Sequence, residues 1–157
     1  MSQPGETTAV ATSLDDLNRL DGSHLGYTDW YTVTQDEVSR FGEVTQDTYW
    51  IHTDPERAKE GPFGGTIAHG FFTLALLVPL ASALIRVDLG GVGVNYGLDR
   101  VRFPSPVRVG SRIRAGATLQ GVAAIDGGVQ IKLLVTGEIE GAPKPCLVAE
   151  SLIRYYA

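Results

Sequence analysis

The sequence predicts an α+β domain in which an antiparallel β-sheet is wrapped around a long central apolar helix. Three observations carry this. Helical patterns fill the first half of the chain and strand patterns the second, the order expected of α+β architecture. Residues Phe71 to Ile85 are apolar except where Thr73, Pro79 and Ser82 interrupt them. A helix apolar on nearly all sides is buried on nearly all sides, and a surrounding sheet would bury it. Finally, residues 92–103, 112–123, 129–137 and 147–156 are rich in Val, Ile and Thr. They are separated by Pro104-Ser105-Pro106, Asp126-Gly127-Gly128 and Gly141-Ala142-Pro143. Asp-Gly between two alternating runs is a strong hairpin signal.

In chain order, residues 1–25 read as a loose lead-in to a domain spanning 26–157. Within the lead-in, Ser13 to Leu20 has the pattern of a two-turn helix, with Leu14, Leu17 and Leu20 on one side. Tyr27 to Val33 alternates and is rich in aromatic and β-branched residues, which predicts a strand. Thr34-Gln35-Asp36-Glu37 is a capping box, in which hydroxyl and carboxylate satisfy the free N–H groups of a helix start. Val38, Phe41 and Val44 follow at helical spacing, so this helix delivers Asp47 at its C-terminal end. Asp54-Pro55-Glu56 opens a short helix with proline at its first position. Gly61 to Gly65 forms a flexible loop leading into the long apolar helix, expected over 68–86.

The 157 residues suffice for one core. The net charge of −5 and the absence of a dense Lys/Arg block exclude a nucleic-acid partner. The single cysteine, Cys146, precludes an intramolecular disulfide; it reads as a buried inert thiol in a reducing, cytoplasmic setting. The N-terminus has no basic stretch followed by an apolar core, so no secretory signal is expected. The longest apolar stretch falls short of the roughly 20 residues that span a membrane, so no membrane association is expected.

The chemistry concentrates in Phe41-Gly-Glu-Val-Thr-Gln-Asp47-Thr-Tyr-Trp-Ile-His52 and in Pro62-Phe-Gly-Gly-Thr-Ile-Ala-His69-Gly70. An aspartate near a histidine is the minimum equipment for activating water by general acid–base catalysis. Aspartate at a helix C-terminus is disfavoured by the dipole, which argues for a special role. The start of the next helix offers unpaired N–H groups suited to a developing oxyanion. His69 reads first as a structural residue, making a capping or loop-fixing hydrogen bond. Gly91 to Gly97 has the wrong spacing for a dinucleotide loop and is followed by a strand. His24, Asp29, Asp36, Asp54 and His52 lack metal-ligand spacing, so no metal is expected. No Gly-x-Ser-x-Gly is present, and no covalent nucleophile is indicated. Arg100, Arg102, Arg108, Arg112 and Arg114 form a basic run, read either as a solvated sheet edge or as donors to phosphate.

These motifs resemble those of the MaoC-like (R)-specific enoyl-CoA hydratases, a hotdog-fold family, and the resemblance runs from about Gly26 to Ala157. Asp47, Ile51 and His52 match the family's signature in type and spacing. Gln46 stands where glycine is usual, and Tyr49-Trp50 where Asn-Pro is usual. Ala68-His69-Gly70-Phe71 and Leu98 to Val107 also look like the family. The resemblance implies hydration of a trans-2-enoyl thioester to a (R)-3-hydroxyacyl thioester. Asp47 and His52 would be catalytic, and a backbone N–H near Gly70 would hold the thioester oxygen. Tyr49 and Trp50 would flank the substrate, and Arg100 and Arg102 would meet coenzyme A phosphates. No cofactor is implied beyond coenzyme A as part of the substrate, and the expected partner is a second copy, giving a homodimer. A hotdog thioesterase and a non-catalytic acyl-thioester-binding subunit are the alternatives.

Overall fold

The computed structural model describes residues 8–156. The first element is the short strand β1 (Ala9–Ala11), followed by helix α1 (Leu14–Leu20), which Ser13 caps by accepting from the Asp16 N–H. The loose lead-in expected over 1–25 is corrected here. From Ala9 onward it is built into the fold, with Ala11 and Leu17 fully buried. Residues 1–7 lie outside the described residues. The strand expected over Tyr27 to Val33 is two short pieces, β2 (His24–Tyr27) and β3 (Tyr31–Thr32). Both pair with the same later strand. Between them Thr28 replaces ladder contacts, donating its N–H to the Ala115 carbonyl and accepting the Ala115 N–H on its hydroxyl.

Helix α2 (Gln35–Thr45) begins with the full capping box of Thr34 and Glu37. It ends at Gln46, which takes the left-handed conformation at φ 63°. Only glycine adopts that region without cost, because a Cβ there crowds the following carbonyl. The chain then makes a one-turn helix α3 (Trp50–Thr53), where a loop was expected, and α4 (Pro55–Lys59), capped by Asp54.

Helix α5 (Gly70–Ser82) is shorter than the 68–86 expected. The chain leaves it to form β4 (Ile85–Val87), which pairs in parallel with β1. The main sheet follows as β5 (Val92–Arg102), β6 (Arg112–Ile125), β7 (Gly128–Ile139) and β8 (Leu147–Tyr156). Its order is β2-β6-β7-β8-β5, antiparallel throughout, with β3 also pairing with β6. The β6–β7 hairpin turns at Asp126-Gly127, with Gly127 at φ 71°. Strand β7 alternates buried and half-buried positions, presenting Ile131, Leu133 and Val135 to the core. Helix α5 lies on β6, β7 and β8. Gly137 makes this close approach possible, because a Cβ there would come within 2.5 Å of Leu77 Cδ1.

Burial of α5 on nearly all sides, as its composition predicts, does not hold for the single chain. Thr73, Leu77, Val78 and Ala81 are buried, whereas Phe71, Ala75 and Pro79 form an exposed row one turn apart. Strand β5, at the edge of the sheet, is exposed along almost its whole length. No helix among the described residues is long and apolar enough to cross a membrane.

Candidate active site

Three elements converge on the site: the end of α2, the turn α3, and the stretch leading into α5. Gln35, in the first turn of α2, ties them together. Its amide donates to the His52 carbonyl (2.7 Å) and its carbonyl oxygen accepts from the Thr66 hydroxyl (2.5 Å). The Ile67 N–H donates to the Ile51 carbonyl (3.0 Å), and the Ala68 N–H to the Val107 carbonyl (2.8 Å). Thr53 donates its hydroxyl to the Thr48 carbonyl (3.0 Å), closing the loop that holds Asp47. His52 therefore sits on a short but heavily braced turn.

His52 is buried, and its Nδ1 lies 2.7 Å from the Ile67 carbonyl. A carbonyl only accepts, so Nδ1 carries the hydrogen and Nε2 presents a lone pair. Burial pushes the His52 imidazole below its ordinary value. His69 adds to that shift, while the Ile67 carbonyl and Asp47 oppose it. The ring is thus held in the form that takes up a proton.

His69 is nearly fully buried just before α5, and its ring stacks on His52 with centroids 3.8 Å apart. Its Nε2 lies 2.9 Å from the main-chain carbonyl of Asp47. The expected loop-fixing role is visible in that contact, although the partner, 22 residues away, was not legible in the sequence. Asp47 is exposed, one residue beyond the left-handed Gln46. Asp47, His52 and His69 each offer one ligand atom within 4.8 Å of the others, a spacing that admits a metal ion. Zinc needs nitrogens at about 2.0–2.1 Å, and each ring already commits one nitrogen, His52 Nδ1 and His69 Nε2, to a main-chain carbonyl.

A pocket of about 310 Å³ opens beside His52 and runs along Ile67, Gly70, Thr73, Phe103 and Val107. Gly70 starts α5 against the Phe103 ring, where a Cβ would come within 3.0 Å. Gly70, the first residue of α5, lines this pocket, and the N–H at a helix's first position has no intrahelical partner. Cys146 also lines it, with burial pushing its thiol up to about 11, in keeping with an inert thiol.

The remaining residues singled out by sequence fall outside the pocket lining. Trp50 packs on Gly61, and the Arg57 guanidinium lies 4.5 Å from its ring, which fastens the glycine loop. Tyr49 is exposed and packs against Trp50. Arg112 and Arg114 pair with Glu140 and Glu138 across the β6–β7 ladder, and Arg108 donates to the Gly64 carbonyl. Arg100 and Arg102 form no ion pair among the described residues. Gln35, which braces His52, was read only as part of a capping box; nothing local marks its second role.

The chain belongs to the MaoC-like domain family, which matches residues 18–140. It is 51% identical over 146 residues to a 3-hydroxyacyl-thioester dehydratase, form Z, of Mycobacterium tuberculosis, covering 92% of this chain and 97% of that protein. It is 44% identical over 140 residues to nodulation protein N of Rhizobium meliloti, covering 87% of each. The structure of an (R)-hydratase of Pseudomonas aeruginosa superposes with a TM-score of 0.70 at 19% identity, over 87% of this chain and 81% of that one. The fold is the hotdog, as the sequence predicts.

Proposed function

We propose that this protein is an (R)-specific enoyl-CoA hydratase, adding water reversibly across the trans-2 double bond of an enoyl thioester. The observation that carries the reading is the tautomer of His52. Its Nδ1–H is committed to the Ile67 carbonyl, which leaves Nε2 to take up a proton, and the ring lines an apolar pocket while bringing a nitrogen within 4.8 Å of a ligand atom of Asp47. A water bound between Nε2 and the Asp47 carboxylate loses its proton to His52 as its oxygen bonds to C3. The π electrons move toward C2 and the thioester oxygen, which the N–H groups at Gly70 stabilise. The proton returns through Asp47 to C2 on the same face, leaving both residues as they began. General acid–base help is worth ~10²–10⁴-fold and an oxyanion donor ~10²–10³-fold. The name of the Mycobacterium relative supports the same chemistry. The steps require no redox cofactor or metal, so chelators should leave turnover unchanged.

Arg100 and Arg102, which form no ion pair among the described residues and precede the pocket residue Phe103, would donate to the coenzyme A phosphates. The partner is a second copy. The edge strand β5, through Tyr96 and Leu98, and the exposed Ala75 and Pro79 line an apolar groove of about 370 Å³ together with Leu74 and Val78. Pairing with the same edge of another chain covers both. The test follows the near-ultraviolet absorbance of short and longer enoyl-CoA substrates, with chiral analysis of the product and a parallel assay of free thiol. Loss of absorbance with a (R)-3-hydroxyacyl product and no thiol supports the reading. Thiol release would make it a thioesterase, and binding without turnover an acyl-thioester-binding subunit.

A further inference from the structure

We propose that His69 is a positioning residue for the hydration step, setting Asp47 through its main-chain carbonyl and fixing the plane of His52 through its ring face. The inference rests on the hydratase reading and adds a residue to it. Three observations meet at this ring. Its Nε2 must carry a hydrogen, since its partner at 2.9 Å is the Asp47 carbonyl. Its face covers His52 at 3.8 Å with the planes 26° apart, so the His52 ring cannot swing without displacing it. Among the described residues its buried Nδ1 has no hydrogen-bond partner, an arrangement that ordinarily costs stability. The ring is placed for its other nitrogen and its face, at the expense of Nδ1.

Gly42 supplies independent support from a different element. It lies buried inside α2, where glycine is less favourable than alanine. A Cβ there would come within 2.8 Å of the Asp47 carbonyl oxygen, the atom His69 holds, and within 3.5 Å of His69 Cε1. The glycine leaves room for this hydrogen bond. Phe41, one residue earlier, packs its ring 5.2 Å from His69 on the other flank. Helix α2 therefore presents a fitted seat to the His69 ring, and Asp47 is carried on the chain that leaves that seat.

The test compares His69→Gln, whose amide nitrogen reaches the same donor position, with His69→Ala and Gly42→Ala. Misplacement of a reacting group by about 1 Å costs on the order of 10²-fold. His69→Ala and Gly42→Ala should each lower kcat by that order with KM little changed, and His69→Gln should recover most of it. In an Asp47→Asn background, His69→Ala should cost clearly less than in the wild type, because the share of its effect that passes through Asp47 is already gone and only the share carried by the His52 ring is left. Wild-type kcat in His69→Ala would overturn the proposal, as would a loss fully additive with Asp47→Asn, or equal losses in the Gln and Ala variants. If the wild type hydrates no enoyl thioester, the hydratase reading fails instead. Positioning is then read without turnover, from the Asp47 carbonyl carbon and His69 ring-nitrogen resonances. A hydrogen-bonded Nε2–H supports the proposal and its absence contradicts it.

Discussion

The two flanks of helix α5 are finished differently. At its N-terminal end the chain braces a site with its own residues: Gln35 joins Thr66 to the His52 carbonyl, His52 bonds the Ile67 carbonyl, and His69 bonds the Asp47 carbonyl. Toward β5 the same helix exposes Phe71, 72% accessible, with Ala75 and Pro79, beside a sheet edge whose Val92, Val94, Tyr96 and Leu98 are 43% to 62% accessible. The first flank is pre-organised by polar contacts that a single chain can satisfy. The second leaves apolar surface that only another surface can cover. The contacts around His52 are thus made within one chain, while the apolar face of α5 toward β5 stays uncovered in it.

The comparison breaks most sharply at the site. In the proposed mechanism His52→Ala removes the base and Asp47→Asn the proton conduit, so each should lower hydration by ~10²–10⁴-fold. Asp47 is exposed, so Asp47→Asn should leave the thermal midpoint nearly unchanged. Steady-state kinetics with thermal melts checks both, and normal turnover in the two variants would remove the assignment. The second flank breaks by charge. Val94→Lys with Leu98→Lys should convert a dimer to monomer by light scattering, since lysines on a sheet edge oppose strand pairing. A wild-type protein that is monomeric at all concentrations would refute the edge pairing.

The pH response sharpens the first flank. His52 is held below the ordinary imidazole value of about 6.5, first by burial and then by His69. It therefore stays proton-free to lower pH than a solvated histidine, and the acid limb of kcat should lie below about 6.5. For folding, the unfolded chain takes up this proton first as pH falls. The stability linked to His52 is thus full above about 6.5 and is lost as pH falls through the lower folded-state value. An acid limb above 6.5 would contradict the buried, proton-free ring. The smallest effect is at Gln46. Gln46→Gly relieves the left-handed strain and should stabilise the fold by about 1 kcal/mol in denaturant titration.

Much of this architecture was legible in the residues. Strands β5 to β8 emerged within one or two residues because Val, Ile and Thr alternate between Gly- and Pro-rich turns. The closeness of Asp47 and His52 was legible because one helix end and the next turn carry them five residues apart. What stayed hidden depends on contacts distant in sequence. The His69 to Asp47 carbonyl bond spans 22 residues and uses main chain on one side, which no side-chain pattern records. The break between Tyr27 and Tyr31 follows from the way Thr28 meets Ala115, 87 residues away. The composition of α5 spoke of burial that one chain does not provide, so Phe71, Ala75 and Pro79 read as core and stand exposed.

The most direct test of the central claim is hydration of a trans-2-enoyl-CoA in D₂O, followed by NMR of the product. Water split between Nε2 of His52 and Asp47 on one face predicts a (R)-3-hydroxyacyl thioester with a single deuterium at C2, added to the same face as the hydroxyl. Addition from opposite faces, a product of (S) configuration, or release of the thiol without hydration would contradict it.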